Sequence, residues 1–255
     1  MALCEVHWHS LVLKQKLSMT VILPEVGTPP FATYYLLHGL SDDHTTWVRR
    51  TRVEWYVREL PLIVVMPNGL RGFYTDSHAG PPFAKYVAEE VVSFAERNFP
   101  ALRAREARAS GGLSMGGYGA LRLALGYPDR FASANSHSGA VMHGHLPGAR
   151  PDGPLPQDEF LRIFGPAPHG TDHDLLFLVE RAKRAGKLPK MLIDCGTEDY
   201  LIEGNRAFHA ELERMKVPHE YREFPGAHTW DYWDEHVKNA LAFHSQVLGI
   251  APQAV

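Results

Sequence analysis

Residues 107–125 read ARASGGLSMGGYGALRLAL, and the middle of this stretch, Gly112-Leu113-Ser114-Met115-Gly116, decides how the rest of the chain is read. Ala107 to Leu113 reads as a strand, and Gly116 to Leu125 as a helix of small residues. A serine between the two stands on a sharp turn, in a strained backbone conformation that holds its hydroxyl out over the sheet edge. Glycines two before and two after it remove side chains that would collide with the neighbouring strand and helix. The helix that follows also directs its positive end at the serine, a favourable place for developing negative charge. At a glycine usage of about 7%, the pentapeptide alone occurs by chance in roughly one chain in ten of this length. The strand before it and the helix after it are what separate it from an ordinary glycine-rich turn.

Outward from this turn the chain alternates. Ala32 to Leu37 (ATYYLL) and Leu62 to Met66 (LIVVM) are short apolar runs that end at glycine or proline, as central strands covered on both faces do. Phe131 to Ser138, Lys190 to Cys195 and Glu220 to Phe224 read as further strands. Tyr86 to Phe99, Leu201 to Met215 and Trp233 to Leu248 have helical spacing. Near the N-terminus, Cys4 to Leu11 and Lys16 to Leu23 carry strand signals, and Pro24 to Pro30 makes a turn-rich break. Strand and helix in this order predict an α/β fold, a mostly parallel central sheet with helices on both faces. Residues 1–255 are expected to form one domain. His143 to Asp174, rich in proline, glycine and histidine, is expected to be a lid-like or substrate-side loop insertion.

A serine hydroxyl is a poor nucleophile until a base takes its proton. On a turn of this kind the acid and then the base follow the serine in chain order. Among the downstream histidines, His209, His236 and His244 fall within helical stretches. His228 instead follows the strand Glu220 to Phe224 and the turn Pro225-Gly226-Ala227, so it is the candidate base. The loop after Lys190 to Cys195 offers Glu198 and Asp199 to orient the imidazole; Asp199 is favoured, with Glu198 the alternative, while Asp194 lies inside the strand. Backbone donors for an oxyanion are expected at Met115, next to the serine, and at Leu40, in the loop after Ala32 to Leu37. Trp47, Trp230 and Tyr74 lie in or beside these loops and are candidate pocket residues, although such aromatics also serve as packing.

The remaining composition narrows the function classes. The 255 residues carry a formal net charge of −3 and no block of five basic residues, which argues against nucleic acid or an anionic membrane as a partner. The longest apolar runs are too short to span a bilayer. With no signal-peptide pattern at the start and only Cys4 and Cys195, a cytoplasmic setting is expected. Fifteen histidines invite a metal, but His7-Trp8-His9 and His143-Gly144-His145 are only pairs and there is no H-E-x-x-H or cysteine cluster, so neither a metal nor a cofactor is expected.

Taken together, these residues give a resemblance. The chain resembles the esterase D group of α/β-hydrolases, particularly tributyrin-esterase-like carboxylesterases, relatives of S-formylglutathione hydrolase and of feruloyl and acetyl-xylan esterases. It does so at the run from His38-Gly39-Leu40 to Trp47, at Gly72-Phe73-Tyr74-Thr75-Asp76, at Gly112 to Ala120, at Cys195 to Asp199, and at Gly226-Ala227-His228-Thr229-Trp230. The resemblance implies an α/β-hydrolase fold and a triad of Ser114, Asp199 and His228, with Leu40 and Met115 as oxyanion donors. It also implies a small-molecule ester of a short acyl group as substrate, with no metal or organic cofactor. Relatives often assemble, so a homo-oligomer stays open. A thioesterase of the S-formylglutathione hydrolase kind and an acyltransferase are alternatives that use the same residues, and a non-catalytic binding protein of this fold is a third.

Overall fold

A computed structural model describes residues 1–146, 148 and 153–254. Eight strands form one sheet: β1 (Ala2–Ser10), β2 (Gln15–Leu23), β3 (Ala32–Leu37), β4 (Leu62–Pro67), β5 (Arg108–Leu113), β6 (Ser133–His137), β7 (Lys190–Gly196) and β8 (Glu220–Phe224). Their spatial order is β1-β2-β4-β3-β5-β6-β7-β8. The β1–β2 hairpin joins the sheet antiparallel, and from β4 to β8 every pairing is parallel. This is the α/β-hydrolase fold.

The apolar runs are central because both of their faces find a core. Along β3 and β4, Tyr35, Leu37, Ile63 and Val65 face one layer of helices, while Tyr34, Leu36, Leu62, Val64 and Met66 face the other. Full burial of such side chains stabilises by about 1.5–3 kcal/mol each. The first layer holds α4 (Val92–Asn98), α5 (Met115–Gly126), α6 (Gln157–Phe164), α7 (Leu175–Arg184) and α8 (Ile202–Arg214). The second holds α1 (Thr46–Arg50), α2 (Val53–Tyr56) and α9 (Trp230–Leu248). Among the described residues no helix is long and apolar enough to cross a membrane.

Two stretches differ from the sequence expectation. Tyr86 to Phe99 is not one regular helix: α3 (Phe83–Lys85) leads into a π-helical turn at Tyr86–Val91 before α4 begins. The carboxylate of Glu90 in that turn accepts from the Ser10 hydroxyl and the Leu11 N–H, and so closes the end of the β1–β2 hairpin. The region from His143 to Asp174 contains α6 rather than loop alone; Pro147 and 149–152 lie outside the described residues.

The C-terminal half of the sheet buries polar groups, and several of them pair. Asn135 Oδ1 accepts from the Tyr34 hydroxyl at 2.7 Å and from His244 Nε2 at 2.9 Å, and His244 Nδ1 lies 2.8 Å from the Ser133 hydroxyl. Asp194 binds His137 Nδ1 at 2.7 Å and the Tyr232 hydroxyl at 3.0 Å, so it points into the core, as its place inside a strand implies.

Burial pushes the His244 imidazole down to about 3, and burial holds both His38 and His173 down to about 4. These folded-state values lie below that of an unfolded histidine, so the unfolded chain takes up protons first as pH falls. Stability is therefore full above about pH 6.5. It declines as pH drops toward 4, each group adding a slope of about 1.4 kcal/mol per pH unit. Denaturant midpoints measured from pH 7.5 to 5 are expected to fall steadily below 6.5; a midpoint unchanged over that range contradicts the neutral, buried assignment.

Candidate active site

The turn between β5 and α5 holds Ser114 at φ 53° and ψ −115°, a left-handed conformation that a non-glycine residue adopts only where its surroundings enforce it. Its neighbours explain the two glycines. A Cβ on Gly116 would stand 2.5 Å from the Leu37 carbonyl oxygen and 2.7 Å from that of His38. One on Gly112 would meet the same Leu37 oxygen at 2.6 Å. Both obstacles are backbone and cannot swing aside. The turn is held from the next strand: Ser114 N–H donates to the His137 carbonyl at 2.9 Å, and the Ser114 carbonyl accepts from Ala140 at 3.1 Å.

Two further strand ends reach the serine. His228, in the loop after β8, places Nε2 3.0 Å from the Ser114 hydroxyl oxygen. Its Nδ1 lies 2.8 Å from Oδ2 of Asp199, in the loop after β7. The other Asp199 oxygen accepts from the Leu201 N–H at 2.8 Å. Burial by itself pushes the Asp199 carboxyl up. Hydrogen bonds from His228, Leu201 and Ser138 outweigh that and hold it below its ordinary value. Glu198, the other acid of this loop, faces elsewhere: its carboxylate accepts from Gly226 N–H and the Thr197 hydroxyl, and its own N–H donates to the Gly226 carbonyl. It therefore ties the loop of the acid to the loop of the base.

Leu40 and Ser114 line the same small cavity, of about 360 Å3 including its open mouth. Met115 is the first residue of α5, where helical N–H groups have no acceptor within the helix. The loop carrying Leu40 is fixed by its own first residue, to which the sequence reading gave no separate role. His38 is buried, with Nδ1 2.8 Å from the Gly39 carbonyl and Nε2 accepting from Gly69 N–H at 2.9 Å. Both ring nitrogens are thus engaged in the neutral form, and the loop after β3 is pinned to the loop after β4.

The expected pocket residues lie behind the site. Trp47 is buried, donates to the Leu37 carbonyl at 3.0 Å, and packs edge to face on Trp230 with ring centroids 5.4 Å apart. Trp230 packs in the same way on Trp233, and Trp233 on the His228 ring at 4.9 Å. Tyr74 is wholly buried and donates to the His38 carbonyl. Each of these rings finds its apolar contacts in neighbouring rings and in the core, so they brace the imidazole and the loop after β3, and none of them lines the cavity. The walls are Phe73, Ala140, Leu155, Leu201 and Tyr200, whose ring lies 4.6 Å from that of His228. Tyr200 had a signal in its position directly after Asp199. Phe73 stood in the run Gly72 to Asp76 that carries the resemblance, but its left-handed backbone (φ 50°) is not something that composition reveals. Gly153, Pro154 and Leu155 bring the region between His143 and Asp174 to the cavity.

An imidazole between a buried carboxylate and a hydroxyl, beside free helix N–H groups, can remove the hydroxyl proton and receive charge on an attacked carbonyl. Known proteins of the same build agree with that chemistry. An acetyl esterase of Caldicellulosiruptor saccharolyticus is 30% identical over 264 residues, covering 97% of this chain and 99% of its own. The Staphylococcus aureus fluorophosphonate-binding serine hydrolase F, solved with substrate bound, superposes with a TM-score of 0.86 at 32% identity, covering 95% of this chain and 98% of that one. The S-formylglutathione hydrolase of the same organism gives 0.85 at 33% identity, with the same coverage. The Esterase family model matches residues 10–244, which include Ser114, Asp199, His228 and the strands from β2 to β8. On that match the chain belongs to the Esterase family, and it is a carboxylic ester hydrolase of the serine hydrolase type.

Proposed function

We propose that the protein hydrolyses esters of short acyl groups through Ser114, His228 and Asp199, with an acyl-enzyme intermediate on Ser114. The observation that carries this reading is the unbroken chain of contacts, 3.0 Å from the Ser114 hydroxyl to Nε2 and 2.8 Å from Nδ1 to Asp199, opening on a small cavity. His228 accepts the hydroxyl proton as Ser114 Oγ attacks the acyl carbon. The N–H groups of Leu40 and Met115 receive the oxyanion. His228 then gives the proton to the leaving alcohol, and a water, deprotonated by the same nitrogen, releases the acid. Asp199 keeps the proton of the neutral ring on Nδ1 and stabilises the imidazolium.

The cavity beside Ser114 is small, which favours short chains. The relation to an acetyl esterase points the same way. A p-nitrophenyl ester series from acetate to palmitate is expected to give the highest kcat/KM at acetate to butyrate and a loss of more than about tenfold by octanoate, as lost pocket contacts of a few kcal/mol predict. Equal turnover of palmitate and acetate would overturn the short-acyl reading.

A second reading follows from the S-formylglutathione hydrolase likeness. The same residues cleave a thioester, whose thiolate leaves more readily than an alkoxide. A kcat/KM for S-formylglutathione above that for the best oxygen ester would make the thioester the preferred substrate. Alcohol acceptors added to the ester assay separate acyl transfer from hydrolysis by their products.

A further inference from the structure

Three side chains outside the catalytic centre converge on one point. His145 stands in the turn after β6, His169 in the turns before α7, and Asp174 caps the first turn of α7. The Asp174 carboxylate is buried, with Oδ2 3.0 Å from His145 Nδ1 and 3.3 Å from His169 Nδ1. One potential ligand atom from each of the three lies within 4.8 Å of the other two. They open on a cleft that also carries Glu180 and Glu211.

We propose that His145, His169 and Asp174 bind a divalent transition-metal ion of the zinc class. Two imidazoles and a carboxylate are a donor set that zinc accepts and that magnesium and calcium, which prefer oxygen, do not. In a tetrahedral site with metal–ligand distances near 2.0–2.1 Å, ligand atoms stand about 3.3 Å apart, close to the spacings found here. The carboxylate is already oriented by backbone: Gly170 N–H donates to Oδ2 and Leu176 N–H to Oδ1, each at 3.0 Å. Such outer contacts hold a ligand in place for its ion. Without a cation, Oδ2 faces two imidazole nitrogens and one backbone N–H, one donor more than its two lone pairs serve well. A bound cation would instead take the lone pairs of the imidazoles.

The second trio of such residues, His209, Glu213 and His219, makes a contrast. There, His209 Nδ1 and His219 Nε2 bond each other at 2.8 Å, and His219 Nδ1 bonds the Val217 carbonyl. That pair is satisfied by the protein alone.

The proposed ion would join residues 145 and 169 and so close the chain that carries Gly153, Pro154 and Leu155, one wall of the ester cavity. Its role would be to stiffen that wall, since a cross-link removes the freedom of the loop it closes.

The test uses the full-length protein stripped with a chelator and titrated with Co2+ and then Zn2+. Expected are one equivalent of bound Co2+ with a visible d–d absorption, its displacement by Zn2+, and a raised Tm in Zn2+. His145→Ala/His169→Ala is expected to weaken binding by more than about 100-fold, because even removal of a ligand's hydrogen-bond partner costs about 10–100-fold. Short-ester turnover without metal is the check that this variant folds; His169→Ala alone, at an exposed position, serves if it does not. His209→Ala is expected to bind as wild type. No binding by the stripped protein, binding unchanged in the His145/His169 variants, or loss in His209→Ala instead would each overturn the proposal.

Discussion

Ser114→Ala is expected to lower kcat on short esters by about 10^5-fold or more, with little change in KM, because among the described residues no other serine, threonine or cysteine lines the cavity. Removing a member of such a triad leaves only what the oxyanion donors and binding supply, on the order of 10^3–10^4 over the uncatalysed rate. The variant should fold as wild type. The left-handed turn is imposed by the backbones of β3, β6 and α5, and alanine carries the same Cβ as serine. A fluorophosphonate probe should label the peptide containing Ser114 in the wild type and leave the variant unlabelled. Turnover within a few fold of wild type would remove Ser114 as the nucleophile.

Asp199→Asn is expected to cost about 10^3–10^4 in kcat while the substrate still binds. The geometry says why an isosteric change is so severe. Leu201 N–H requires an acceptor at the Oδ1 position, so the new amide oxygen stays there and the NH2 group turns toward His228. An imidazole facing an NH2 group at Nδ1 must carry its proton on Nε2, where it meets the Ser114 hydroxyl as a donor and cannot act as a base. Glu198 offers no rescue, because both of its oxygens are bound to Gly226 and Thr197. Activity within tenfold of wild type would place the orienting acid elsewhere.

Much of this was legible because the relevant signals are local. The apolar runs of β3 and β4 and the glycines around Ser114 answer to contacts that any parallel sheet with covered faces must make. Loop position was enough to separate His228 from the helical histidines. The choice between Glu198 and Asp199 was less legible from the residues, since it depends on which side chain the Gly226 backbone captures, a contact between loops of different strands. The pocket was illegible for the same reason: Trp47 and Tyr74 sit in the right loops, but their rings turn into the core. Helix α6 had its signals, with Pro156 before it, acidic Asp158 and Glu159 in its first turn, and Gly165 at its end. They were masked by the proline and glycine around them.

The order of the strands carries one more consequence. The proposed nucleophile stands at mid-sheet in the turn after β5, whereas its proposed base arrives 114 residues later in the loop after β8, the last strand and an edge. The two come together only once β6, β7 and β8 have joined β5. Contacts between such distant parts of a chain are slow to form and close late in folding. On the proposed mechanism, reactivity at Ser114 is therefore a clock on the docking of β8: during refolding, helix content can return while the serine stays inert, and the first acylated molecules mark those in which that edge strand has found its place.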